Sequence, residues 1–160
     1  MLKYVDTLVS FSEVPDEISL CINISNCPCG CIGCHSTYLA EDIGEELTIG
    51  VLYDLVRKNH GITCVCLMGG DSDPEIINCL AVSLKIISWA RVKVAWYSGR
   101  QYIPDEIDTQ FFDYIKIGPY VEKLGGLTSP NTNQIMYQNI DGRLVEITSK
   151  FWRNAVESSL

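Results

Sequence analysis

The chain has 160 residues, 47% hydrophobic and 20% charged, a composition that suits one ordinary packed domain and argues against disorder. Its 20 acidic and 12 basic residues give a formal charge of −8 with no cluster of Lys and Arg, which disfavours a polyanionic partner such as DNA. No apolar run approaches the roughly 20 residues needed to cross a bilayer, and residues 1–10 lack the order of a signal peptide, so a cytoplasmic protein is predicted.

No repeat, low-complexity tract or Pro/Ser-rich linker divides the chain, and residues 1–160 read as a single domain. Residues 2–12 form an opening strand, Pro15-Asp16-Glu17 a turn, and residues 18–24 a core strand that leads into a cysteine-rich loop. Thr48 is positioned to cap a helix running to about Asn59, because Val51, Leu52, Leu55 and Val56 recur at helical spacing and His60-Gly61 marks the exit. Residues 62–68 are short, apolar and β-rich, and end in Gly69-Gly70. A helix then extends from Pro74 to about Ala90, and residues 92–97 repeat the strand pattern before Ser98-Gly99.

A short helix or turn covers residues 104–109, and residues 114–117 make a further strand ending at Gly118-Pro119. Residues 134–138 and 143–147 flank a hairpin turn containing Asp141-Gly142, and residues 149–158 close the chain as a short helix. The alternation predicts an α/β fold with a parallel sheet and a C-terminal hairpin. Four or so parallel strands fall short of the eight strand-helix units, typically about 250 residues, of a closed barrel, so an open partial (β/α) barrel is expected. Ligands in such sheets gather at the carboxyl ends of the strands, where the cysteine loop, Gly69-Gly70, Ser98-Gly99 and Gly118-Pro119 all fall.

Eight cysteines without an export signal point to metal binding or redox chemistry rather than disulfides. Cys21, Cys64, Cys66 and Cys79 lie among apolar residues and read as small buried hydrophobes. Cys27, Cys31 and Cys34 instead show the spacing C-x3-C-x2-C. Three thiolates on one short loop can hold three corners of an iron-sulfur cube, with Gly30 and Gly33 letting the backbone fold around it. The fourth iron then lacks a protein ligand and stays open to a small molecule with an amine and a carboxylate. A zinc site normally draws four ligands, often from two separated pairs. Cys64-Val65-Cys66 offers no second pair on this reading, since successive side chains of a strand point to opposite faces.

This triad, with Gly33 before Cys34 and His35 directly after it, resembles the radical S-adenosylmethionine superfamily, and within it the activating enzymes of anaerobic ribonucleotide reductases. Met68-Gly69-Gly70-Asp71 is similar to the superfamily's Gly-Gly-Glu segment. Trp96-Tyr97-Ser98-Gly99, residues 113–120 and Asn131-Thr132-Asn133-Gln134 also resemble segments of the activating enzymes, so the likeness extends over most of the chain.

The resemblance implies a radical SAM partial barrel with a [4Fe-4S] cluster on Cys27, Cys31 and Cys34. It implies S-adenosyl-L-methionine bound by Gly69, Gly70, Asp71 and Ser98, with the chemistry carried by cluster and cofactor. The implied activity is reductive cleavage of S-adenosylmethionine and formation of a glycyl radical on the large subunit of the anaerobic ribonucleoside-triphosphate reductase. A one-electron donor such as flavodoxin or ferredoxin would supply the electron. Activation of another glycyl-radical enzyme of the formate-lyase type, or a small-molecule radical reaction, is the nearest alternative. From a different class comes a zinc-binding or ferredoxin-like interaction module.

Two features depart from the family pattern. Cys29 is an additional thiol that can serve as a fourth ligand or replace Cys27, and Ser72-Asp73-Pro74 stands where Asp-Pro-Leu is commoner. Among the remaining polar and aromatic residues, His35 reads as a neighbour of the metal ligands or a solvent-facing group, and His60 as a helix terminus. Tyr97, Tyr114 and Tyr120 read as packing residues. No Ser-His-Asp arrangement or phosphate-binding loop is evident.

Overall fold

A computed structural model of the protein describes residues 1–87 and 89–152. The strands are β1 (Lys3–Ser10), β2 (Ser19–Ile24), β3 (Glu45–Glu46), β4 (Cys64–Met68), β5 (Lys93–Tyr97), β6 (Tyr114–Ile117), β7 (Ile135–Ile140) and β8 (Arg143–Glu146). They form one mixed sheet in the order β3-β1-β2-β4-β5-β6-β7-β8. The central β2, β4, β5 and β6 are parallel, while β1 and β3 on one side and β7 and β8 on the other pair antiparallel. The architecture is therefore α/β with an open sheet, not a closed barrel.

Two helices connect the parallel strands. In α1 (Ile49–Lys58), Thr48 caps the first turn by accepting a hydrogen bond from the Val51 amide at 3.1 Å. In α2 (Pro74–Ile86), Asp73 accepts from the Ile76 amide at 3.3 Å, and Pro74 occupies a first-turn position where its missing N–H is not needed. The second helix ends at Ile86 rather than near residue 90, because Ile87 turns into extended backbone. Among the described residues, no helix is long and apolar enough to cross a membrane.

Strand alternation divides the core into two layers. Leu20, Ile22, Val65, Leu67, Val94, Trp96, Ile115 and Ile117 face the helices and pack on Leu52, Val56, Ile77, Leu80 and Leu84. The opposite face carries Cys21, Cys64, Cys66, Ala95, Tyr97 and Tyr114, covered by Val14, Met136, Ile147 and Phe151. Cys64 and Cys66 are two residues apart and share this face, which corrects the expectation that the strand would separate them. Cys66 lies opposite Cys21 in the register between β2 and β4, with its thiol 3.3 Å from the Met68 sulfur. Cys79 is also corrected: it sits on an exposed position of α2, whereas Cys21, Cys64 and Cys66 are buried.

The C-terminal hairpin has Asp141 and Gly142 in its two-residue turn, both at positive φ (51° and 84°), the backbone that such a tight turn requires. A 3₁₀ turn at Thr148–Phe151 follows it. The remainder of the helix expected over residues 149–158 lies, from residue 153 onward, outside the described residues.

Candidate metal centre

The cysteine loop leaves β2 at Ile24 and is tied down on both flanks. The amides of Asn26 and Cys27 donate to the carbonyls of Glu41 and Leu39 at 3.0 and 2.9 Å, and the Ser25 hydroxyl donates to the Ile43 carbonyl at 2.6 Å. A 3₁₀ turn at Thr37–Ala40 returns the chain toward β3. The sequence reading missed that turn, whose short segment shows no apolar periodicity. Gly30 and Gly33 take positive φ (59° and 78°), the left-handed backbone that glycine adopts most readily.

This winding brings Cys27, Cys31 and Cys34 to the wall of one cavity of about 220 Å³, completed by Gly30, Ser36, Thr37 and Ala40. The Ser36 amide donates to Cys34 Sγ at 3.4 Å. Cys29 does not line that cavity. Its Sγ lies 3.7 Å from Asp71 Oδ2, against the carboxyl ends of β4 and β5. The thiols of Cys27 and Cys29 and the carboxylate of Asp71 offer ligand atoms all within 4.8 Å of one another.

Asp71 is only 1% exposed. Its carboxylate accepts from the Ser98 hydroxyl and, at 3.0 Å, from the Gly99 amide, and faces Arg100 Nε at 3.7 Å. Asp71 and Ser98 are thus brought together as a bonded pair. Gly69 and Gly70 adjoin them but serve the fold: the Gly69 carbonyl accepts from Trp96 Nε1 at 2.8 Å, and a Cβ on Gly70 would come within 2.4 Å of Ile77 Cδ1. The segment after β6 closes the site from the other side. A Cβ on Gly33 would lie 3.3 Å from the Glu122 carboxylate, and the His35 ring packs on Tyr120 with centroids 5.3 Å apart.

Comparisons of the chain with protein-family models, curated proteins and solved structures find no match.

The electrostatics separate the thiols. A hydrogen bond from Cys29 holds the Cys27 thiol down to about 6, against the opposing effect of burial. The same bond, with burial and the Asp71 charge, pushes the Cys29 thiol far up. Cys27 is the readier thiolate of the two.

The residue that sequence reading passed over is Lys116. It is 8% exposed, and its ammonium donates to the carbonyls of Ser98 at 3.1 Å and Gly118 at 2.8 Å, joining the ends of β5 and β6. Burial lowers its pKa, while Asp71 and the thiols of Cys31, Cys29 and Cys27 act to raise it. A charged residue inside the otherwise apolar strand Tyr114–Ile117 was the available signal, since a lysine there must find partners at the strand end.

Proposed function

We propose that this chain is a radical S-adenosylmethionine activase that forms a glycyl radical on an anaerobic ribonucleoside-triphosphate reductase. The observation that carries the reading is the sorting of the four loop cysteines. Cys27, Cys31 and Cys34 line one cavity, and Cys29 faces elsewhere. Three soft donors around a space walled otherwise by small residues fit a [4Fe-4S] cluster with one iron left open. When bound with S-adenosylmethionine, the cluster supplies the electron for reductive cleavage of the sulfonium.

The chain's own residues bind, orient and shield. Gly30 and Gly33 allow the loop to close, and the Ser36 amide directed at Cys34 Sγ is the kind of hydrogen bond that tunes a cluster's potential. Asp71, Ser98 and Lys116 lock the carboxyl ends of β4, β5 and β6 beneath the loop. The site lies at the edge where parallel sheets collect ligands. Helices packed on one face of four parallel strands support an open partial barrel of the radical SAM type.

Ile32 is 86% exposed between two of the cysteines, giving the loop an apolar tip toward a protein substrate. The large reductase subunit would present its glycine there, and flavodoxin or ferredoxin would deliver the electron. A cytoplasmic setting keeps the thiols reduced.

The test is anaerobic reconstitution with iron and sulfide, reduction with dithionite, and measurement of 5′-deoxyadenosine. Cys27→Ala, Cys31→Ala and Cys34→Ala should each abolish its formation, and Cys29→Ala should retain it. With the reductase subunit added, a glycine-centred radical should appear by electron paramagnetic resonance. Equal inactivity of Cys29→Ala would overturn the ligand assignment, and a cluster that never cleaves S-adenosylmethionine would overturn the function.

A further inference from the structure

We propose that Cys27, Cys29 and Asp71 form a second, mononuclear site for a zinc-class divalent cation, which competes with the three-cysteine site through their shared ligand Cys27. The ion site goes beyond the activase reading and does not depend on it, whereas the competition rests on the three-cysteine cluster of that reading. The ion site requires only that two thiols and one carboxylate close on one ion.

The three donor atoms already lie within 4.8 Å of one another. Zinc bonds of about 2.3 Å to sulfur and about 2.0–2.2 Å to oxygen put tetrahedral ligands roughly 3.5–3.8 Å apart. Closing the site therefore takes an inward shift on the order of 1 Å by a loop whose hydrogen bonds to the rest of the chain include those at Ser25, Asn26 and Cys27. Two thiolates exclude magnesium and calcium, which take oxygen ligands, and favour zinc or a similarly soft ion. Solvent takes the fourth position.

The surroundings are those of a held ligand set. Asp71 is buried and oriented by the Ser98 hydroxyl and the Gly99 amide, as metal-ligating carboxylates are fixed by outer hydrogen bonds. Cys29 is seated on Gly99, where a β-carbon would come within 2.6 Å of its Sγ. The only cation in an ion pair with Asp71 among the described residues is Arg100, at 3.7 Å. Its Nε is buried with no hydrogen-bond partner. Cys27 also lines the cavity with Cys31 and Cys34, so its sulfur can turn to either side but cannot serve both ions fully.

Co(II) reports such a site through thiolate-to-metal charge-transfer and tetrahedral d–d absorption. Metal-free, fully reduced wild-type protein, titrated anaerobically with Co(II), should show both and bind stoichiometrically, and Zn(II) should displace the colour. Cys29→Ala and Asp71→Asn should each weaken binding by more than about 100-fold, the upper end of what losing a merely supporting group costs. Cys31→Ala and Cys34→Ala should leave it intact. Zinc loaded first should impede iron-sulfur reconstitution of the wild type but not of Cys29→Ala.

Absence of the thiolate band from wild type overturns the proposal, as does its loss in Cys31→Ala and Cys34→Ala alongside Cys29→Ala. Iron-sulfur assembly without a Co(II) site removes this inference alone. A Co(II) site in a chain that never assembles a cluster removes the activase reading alone.

Discussion

Cys29 rests on the bare Cα of Gly99: a β-carbon built there would lie 2.6 Å from its Sγ and 3.1 Å from its own Cβ. The contact joins the middle of the cysteine loop to the carboxyl end of β5, so the absence of one side chain on the sheet sets where the loop lies.

Gly99→Ala isolates that relationship, because Gly99 does not occupy the positive-φ backbone that penalises any side chain. The added methyl must push Cys29 away from Asp71 and shift the loop. The expected cost is about 1–3 kcal/mol of stability, as for overpacking elsewhere, with reduced iron content after reconstitution. Thermal melting and iron per chain check both. Gly50→Ala in α1, where the new β-carbon would meet Thr48 Oγ1 at an ordinary 3.7 Å, is the control: it should leave iron loading unchanged.

Lys116 makes a second prediction. Its ammonium serves two backbone carbonyls, of Ser98 and Gly118, that belong to different strand ends. Lys116→Met fills the volume but leaves both acceptors without that donor, and should cost about 2–3 kcal/mol in urea unfolding. Lys116→Arg should not restore it, since a planar fork replaces a compact ammonium in a buried space. A loss below about 0.5 kcal/mol, the lower bound for an ordinary hydrogen bond, would show that the bridge is not made.

The parallel centre of the sheet was legible in the sequence because burial on both faces writes short apolar runs, the last three of them closed by Gly69, Ser98-Gly99 and Gly118 and the first by the cysteine loop. Ser19–Ile24, Cys64–Met68, Lys93–Tyr97 and Tyr114–Ile117 all carry that signature. So did the hairpin, whose Asp141-Gly142 needs only local backbone chemistry. Strand direction at the edges was not legible: β1 and β3 pair through long-range register between Lys3-Tyr4 and Glu45-Glu46, which no local pattern records. In the candidate site the C-x3-C-x2-C spacing singled out the cysteines that share a cavity. It could not show that Asp71 turns inward to Ser98 and Cys29, or that Glu122 meets Gly33, because those contacts join residues far apart in the chain.

The buried and exposed cysteines should separate chemically. Cys64 and Cys66 have no solvent exposure and burial pushes their thiols up, which leaves little thiolate to react. Cys79 is exposed on α2. In folded, metal-free protein a brief pulse of N-ethylmaleimide followed by peptide mass spectrometry should label Cys79 and leave Cys64 and Cys66 unmodified until denaturant is added. Equal labelling of all three in the native state would contradict the burial of the Cys21-Cys64-Cys66 face.

The last prediction concerns acid stability. Glu17 is buried beside the sheet and accepts from Lys93, Thr63 and, at 2.9 Å, Tyr114. Burial opposes its ionisation, but these three donors outweigh burial and hold its carboxyl below the usual carboxylate range. Lys93 moves the other way, raised chiefly by its hydrogen bond to Glu17. A depressed carboxyl pKa gives stability that is present above the unfolded value and lost as pH falls through the folded one. The raised lysine adds stability that is lost only as pH climbs through its own folded value. Glu17→Gln should therefore lower the melting temperature at pH 7, corresponding to about 1–3 kcal/mol for the charge-assisted bonds removed. The gap to wild type should begin to narrow as pH drops below about 4, where the carboxyl of the unfolded chain takes up its proton, and should close only as pH falls through the lower folded value. Melting curves of both proteins from pH 7 down to pH 3 check the sign, and a gap that widens toward acid would refute the assignment of Glu17 as an ionised, hydrogen-bonded carboxylate.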